Sequence, residues 1–243
     1  MVKKKLSAKD IIYLIVIALL LGGLVTSSIF LIAKVHREKV QYNNQDYYDK
    51  KLIQFAMENG NYSQGQIVFI GDSITDLYHL DNYYQDLPLN TYNRGIGGDI
   101  TSLLFNRLQV SLYDLHPSKV VLMIGINDIN GGVSKDTIMG NYNKILNGIK
   151  TNLAAAQVNV MSILPMNADV PSGINLNKST QMIMDINVEI EALVNQYAYQ
   201  YFDLFSLVKD ENNHLKKEYS LDGIHLSEEG FAAWTNLIKP SLL

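Results

Sequence analysis

The chain of 243 residues contains no cysteine. That excludes disulfides, thiolate metal centres and a cysteine nucleophile, so any covalent catalysis must use another side chain. Positive charge is also scarce once the N-terminus is set aside. Beyond residue 39 there are 13 Lys/Arg against 22 Asp/Glu, a formal net charge of −9. A surface of that sign repels phosphate backbones, and a nucleic-acid partner is not expected. Internal repeats, low-complexity tracts and a second domain are likewise missing.

One long apolar run is present. Ile11 to Ala33 spans 23 residues without a charge, and a bilayer core needs about 20 helical apolar residues. Lys3, Lys4, Lys5 and Lys9 precede it, opposed only by Asp10, while Lys34, Arg37 and Lys39 follow. The positive-inside rule then predicts a cytoplasmic tail at 1–10, a membrane anchor at 11–33 and an exported remainder. The alternative is a cleaved signal peptide, with Ile11–Leu24 as its apolar region and Val25-Thr26-Ser27 as a weak cleavage site. Residues 34–64 read as a juxtamembrane stem that becomes a first helix, ended by Asn59-Gly60. Residues 65–243 read as one globular domain.

From Gln66 onward apolar runs alternate with helical patterns. Strands are expected at Ile67–Ile70, Leu89–Tyr92, Val120–Ile124, Val158–Leu164 and Tyr201-Phe202. Helices are expected at about 74–86, 101–114, 135–154 and 180–199, with a last one after Ser227. Near-continuous apolar strands separated by helices predict an α/β fold with a parallel sheet covered on both faces.

Four junctions carry residues suited to acyl transfer. They are Gly71-Asp72-Ser73, Asn93-Arg94-Gly95-Ile96-Gly97-Gly98-Asp99, Gly125-Ile126-Asn127-Asp128 and Asp222-Gly223-Ile224-His225. In a parallel sheet such junctions share the edge at the carboxyl ends of the strands, where ligands bind. Ser73 is a candidate nucleophile that needs a base. His225 is that candidate base, and Asp222 can hold its tautomer. The backbone N–H groups of Ser73 and Gly98 and the Asn127 amide are candidate oxyanion donors. Glycine at 98 is read as leaving room for close approach.

Each piece has an ordinary reading when taken alone. Ser73 would serve as a helix N-cap; Gly95–Gly98, Asn127-Asp128 and Asp222-Gly223 would be turns. Gly95–Gly98 also fails the dinucleotide fingerprint, because Ile100 stands where a third glycine belongs. His36, His79, His116 and His214 read as structural, His79 being the rival base. Arg94 reads either as a neighbour of the pocket mouth or as a surface ion pair. Tyr78, Tyr83, Tyr84 and Tyr92 read either as a sugar-binding rim or as half-buried core.

Together the four blocks resemble the SGNH (GDSL-type) hydrolase superfamily over about residues 66–240. The stretch Asn93-x-Gly95-Ile96-Gly97-Gly98-Asp99 is most similar to the branch of platelet-activating-factor acetylhydrolase catalytic subunits. Ile74 stands where the family's nickname has leucine. The resemblance implies a flavodoxin-like three-layer α/β/α fold with five parallel strands and no metal or cofactor. It implies Ser73, Asp222 and His225 as the triad, with Ser73, Gly98 and Asn127 forming the oxyanion hole.

The expected function is a membrane-anchored, outward-facing serine esterase acting on small acyl esters, with O-acetyl groups on carbohydrate preferred and lysophospholipid as the rival. An O-acyltransferase with a sugar acceptor is a second hypothesis. A metal-dependent phosphoesterase using Asp72, Asn127, Asp128, Asp222 and His225 is a third. The loop Met166–Lys178 is the expected substrate-facing insertion.

Overall fold

Residues 30, 34, 45–169 and 176–243 are described by the computed structural model. The chain divides into two units, Met1–Asp49 and Lys50–Leu243. The expected anchor at 11–33 lies outside the described residues, Phe30 apart; among the described residues no helix is long and apolar enough to cross a membrane. Of the expected insertion at Met166–Lys178, residues 170–175 also lie outside them.

Five strands, β1 (Ile67–Gly71), β2 (Thr91–Gly95), β3 (Lys119–Met123), β4 (Gln157–Met161) and β5 (Gln200–Phe202), form one parallel sheet in the order β2-β1-β3-β4-β5. All five residues of β1 are buried. This is why its sequence is an unbroken apolar run rather than an alternation: helices cover both faces of a parallel sheet. Gly71 lies level with Gly95 on one side and Met123 on the other. The chain therefore leaves β1, β2 and β3 at one height, around the point where the strand order reverses.

The helices are α1 (residues 45–59), α2 (Ser73–Asp76), α3 (Thr101–Asn106), α4 (Leu108–Ser111), α5 (Ile126–Asn130), α6 (Lys135–Asn152), α7 (Leu176–Gln196), α8 (Leu204–Val208) and α9 (Glu228–Leu242). α6 packs against α3 and α7, and α8 against α9, which makes the three layers α/β/α. From α9, Trp234 is fully buried with its ring 6.3 Å from Phe69 of β1 and 4.7 Å from Tyr78. Burying an aromatic or large aliphatic side chain is worth about 1.5–3 kcal/mol.

Three expectations shift. The helix expected at 74–86 is a single turn, α2, followed by a short 3-10 turn at Leu80–Asn82. Asn93 of β2 explains the stop: its side-chain amide donates to the carbonyls of Thr75 at 2.6 Å and Tyr78 at 3.0 Å, acceptors a longer helix would need. The helix expected at 101–114 is broken into α3 and α4 at Arg107, whose side chain turns inward to Asp99. The strand expected at Leu89–Tyr92 lies two residues later, at Thr91–Gly95.

Gly95 is the residue that lets β2 and α2 touch. A Cβ at Gly95 would sit 2.1 Å from the backbone nitrogen of Asp76.

Candidate active site

Ser73 is the first residue of α2, and the cap of that helix is not Ser73 but Asp72, whose Oδ1 accepts from Ile74 N at 3.0 Å. This corrects the capping reading of Ser73. An Asp cap contributes about 1 kcal/mol, which matters because an isolated helix of one turn is not stable in water. The division of labour leaves the serine hydroxyl available, and its Oγ lies 2.8 Å from His225 Nε2.

His225 Nδ1 in turn lies 2.6 Å from Asp222 Oδ2. The other oxygen, Asp222 Oδ1, accepts from Ile224 N at 3.0 Å and His225 N at 2.9 Å. The carboxylate thus builds the turn that carries the histidine and orients the ring as well. Partial burial pushes the Asp222 carboxyl up, but the His225 backbone N–H, the imidazole and the Ile224 N–H together hold it below its usual value. The turn does not follow β5 directly. The chain first makes α8 and a 3-10 turn at Lys217–Tyr219, and a bridge between Ser220 and Leu226 closes the loop bearing Asp222 and His225.

Gly98 follows β2 at φ +77°. A Cβ there would meet no described atom within 4 Å, so the chain itself leaves the space open. Its own need for glycine comes from the left-handed backbone. The loop is pinned on both sides. Gly97 N donates to Asp76 Oδ2 at 3.2 Å, and Asp99 Oδ2 accepts from Arg107 Nε at 2.8 Å. Asn127, in the first turn of α5, donates from Nδ2 to the Asp99 carbonyl at 3.0 Å. One amide hydrogen is thereby held beside the Gly98 loop, and the second remains for another acceptor.

Beneath these residues lies a polar layer in which aspartates of the junction blocks meet Arg107 and Thr101, which belong to none of them. Arg107, almost fully buried, donates to Asp99, to the Arg94 carbonyl at 2.9 Å and to the Gly71 carbonyl at 2.9 Å. It ties the ends of β1 and β2 to the Gly98 loop. Asp128 accepts from Thr101 N at 2.9 Å and from Thr101 Oγ1 at 2.6 Å. Burial raises the Asp128 carboxyl above its ordinary range, and raises that of Asp99 to about 6. Asp72 is raised to about 7, chiefly by burial, helped by the charges of Asp99 and Asp128 and opposed by Ile74 N–H and Arg107.

The shift at Asp72 has a thermodynamic consequence. Between about pH 4, where the unfolded carboxyl titrates, and about pH 7, the folded chain holds a proton the unfolded chain has lost. Stability from this group is complete below that window and is lost as pH rises through it. Asp72→Asn, which mimics the neutral acid, is expected to melt increasingly above the wild type as pH rises from 5 to 8. A Tm difference that stays constant over that range would remove Asp72 as the titrating group.

The reading of Arg94 and the metal set are corrected here, and the tyrosines and His79 are placed. Arg94 is at neither a pocket mouth nor the surface: it is 1% exposed, paired with Glu58 at 2.6 Å and Asn59 at 2.9 Å, and stacked 4.4 Å over Phe55. It is a buried bolt between β2 and α1. Tyr78 and Tyr84 are core, with hydroxyls 2.7 Å apart, whereas Tyr83 and Tyr92 are half-buried. Tyr92 stacks on Tyr62 at 4.0 Å and lines a cavity of about 330 Å³ along β2 that neither Ser73 nor His225 borders. His79 is exposed, and the ring bonded to Ser73 belongs to His225. The proposed metal set is dispersed: Asp72 caps α2, Asp128 binds Thr101, and among the described residues no three His, Asp or Glu side chains gather as a metal site.

The GDSL-like Lipase/Acylhydrolase family model matches residues 69–233. The chain belongs to that family. The family is one of lipases and acylhydrolases, which cleave carboxylic esters. A curated relative, the platelet-activating factor acetylhydrolase IB subunit alpha1 of Bos taurus, is 34% identical over 103 residues. That match spans 41% of this chain and 44% of the relative, so it covers less than half of either. Among solved structures, a Streptococcus pneumonia protein described as a platelet activating factor is 28% identical with a TM-score of 0.79, covering 85% of this chain and 97% of that one. A GDSL-like lipase from Bacteroides thetaiotaomicron is 25% identical with a TM-score of 0.69, covering 79% and 96%.

Proposed function

We propose that this GDSL-like hydrolase is a serine esterase that removes short acyl groups, acetyl foremost, through an acyl-enzyme on Ser73. The observation that carries the reading is the unbroken run of hydrogen bonds from Ser73 Oγ to His225 to Asp222. In the first step Ser73 Oγ bonds to the ester carbonyl carbon while His225 Nε2 takes the hydroxyl proton. The carbonyl oxygen becomes an oxyanion facing the Gly98 and Ser73 N–H groups and the second Asn127 amide hydrogen. Collapse breaks the bond to the alcohol, which leaves with the proton from His225. Water, deprotonated by the same ring, then releases the carboxylic acid and restores the serine.

Acetyl is favoured because a relative is named for that reaction. A carbohydrate acceptor is favoured because the triad's outer edge is open: the Asp222 side chain is 52% exposed and that of His225 25%. Bulky polar alcohols reach such an edge without entering a tunnel. A lipid ester is the second reading, supported by Leu221, 65% exposed beside Asp222. The segment 11–33 would anchor the catalytic domain outside the membrane.

The test uses the full chain in detergent with p-nitrophenyl acetate and longer esters, then acetylated oligosaccharides against lysophospholipid. Mass spectrometry of the quenched reaction is expected to find the acetyl increment on the peptide containing Ser73. An unmodified peptide under conditions of turnover would overturn the acyl-enzyme. Product appearing on an added sugar rather than in water would assign the acyltransferase.

A further inference from the structure

We propose that Asp76 is a positioning residue for the oxyanion loop, clamped from outside by Lys51 of α1. The inference rests on the acyl-enzyme reading above. Asp76 stands at the end of α2, three residues after Ser73, and its side chain is only 15% exposed. Its two carboxylate oxygens do different jobs. Oδ2 accepts from Gly97 N at 3.2 Å, and Oδ1 accepts from Lys51 Nζ at 2.6 Å. The backbone of Asp76 is itself fixed, because β2 approaches it at Gly95 so closely that a Cβ would fall 2.1 Å from Asp76 N.

The clamp matters because two glycines stand side by side in this loop. Gly97-Gly98 is a pair of residues with the widest backbone freedom available, and Gly98 holds φ +77°. An oxyanion donor works by standing in place before the charge develops. On the far side Asp99 is held by Arg107 and by its own N–H to the Ile96 carbonyl at 3.2 Å. On the near side Ile96 N is tied to the Gly71 carbonyl, and the bond from Gly97 N to Asp76 is the constraint nearest Gly98. Without it the Gly97 backbone can swing and carry the following peptide, with its Gly98 N–H, away from the nucleophile. Bonds to an ionised acceptor are about twice as strong as neutral ones, and Lys51 keeps the carboxylate aimed. Serine and oxyanion donor are thereby referenced to one short helix, and α1 supports the site at a distance through the Lys51–Asp76 ion pair, beside the Arg94 contacts that hold it to β2.

The experiment compares Asp76→Ala, Asp76→Asn and Lys51→Met in the full chain, with Ser73→Ala as reference. Removing an oxyanion donor outright costs on the order of 10²–10³ in kcat, so loosening one is expected to cost about 10–100-fold. Asp76→Ala should lose that in kcat with KM changed less than about threefold, following the split expected of an interaction made in the transition state. Asp76→Asn, which keeps an acceptor for Gly97 N, should recover most of it. Lys51→Met should cost a few-fold alone and nothing further in the Asp76→Ala background. Binding of a trifluoromethyl ketone, which forms an oxyanion on Ser73, should weaken in parallel with kcat; a merely structural role would not move that ratio.

Full kcat in Asp76→Ala, or a loss of kcat with unchanged ketone affinity, overturns the inference while leaving the serine esterase intact. Turnover that survives Ser73→Ala overturns both. If Asp76→Ala does not fold, Asp76→Asn and Lys51→Met decide by the same ketone measurement.

Discussion

Replacing Ser73 with alanine is expected to lower kcat toward p-nitrophenyl acetate on the order of 10³-fold or more while leaving the melting temperature nearly unchanged. The magnitude reflects the catalysis left behind. Without the nucleophile only the oxyanion donors and substrate binding accelerate the reaction, and a water must attack unaided. The fold is expected to persist because Asp72, not Ser73, caps α2. His225→Ala should cost a similar factor, and the double variant little more than either single one, since the residues act as a unit. His79→Ala should stay within about twofold, because His79 is exposed and the ring bonded to Ser73 Oγ is that of His225. A His79 variant without activity beside an active His225 variant would reverse the assignment of the base.

The second large effect is on stability. Arg107→Met is expected to cost about 3–5 kcal/mol, the range for removing one partner of a buried ion pair. Both side chains of the Arg107–Asp99 pair are at most 1% exposed. The substitution would leave the Asp99 carboxylate with only the Ile100 N–H and without its cation, and would take one donor from each of the Gly71 and Arg94 carbonyls. At about 2–4 °C per kcal/mol for a chain of this size, the melting temperature should fall by roughly 6–20 °C. Asp99→Asn in the same background should return part of the loss by removing the stranded charge. A fall of less than about 2 °C for Arg107→Met would show that water or rearrangement replaces the arginine.

Legibility in the sequence divides along physical lines. The central strands were legible because β1, and β3 from Val120 onward, are buried on both faces and read as apolar runs. Ser73, Gly98, Asn127, Asp222 and His225 were legible as candidates because each stands in a short glycine- or aspartate-marked turn at a junction. The lengths of the intervening helices were not. The pattern after Ser73 continues in helical register, yet the side chain of Asn93, 18 residues beyond Thr75, takes the carbonyls the helix would need. Arg94 and Arg107 were misplaced or overlooked because arginine is ordinarily a surface residue. Here both are enclosed, one by Glu58, Asn59 and two aromatic rings, the other by Asp99 and two carbonyls. Asp76 carries no local mark at all; its importance comes from Lys51 and Gly97, which lie 25 and 21 residues away.

The bond between Ser73 and His225 joins residues 152 positions apart. A ribosome delivers the serine early and the histidine late. If Ser73 and His225 act as proposed, the growing chain displays the nucleophile without its base through most of its synthesis. On the proposed roles, such a chain is expected to hydrolyse esters poorly until the turn from Ser220 to Leu226 brings His225 to Ser73. Appearance of activity during synthesis would then time the completion of the fold itself.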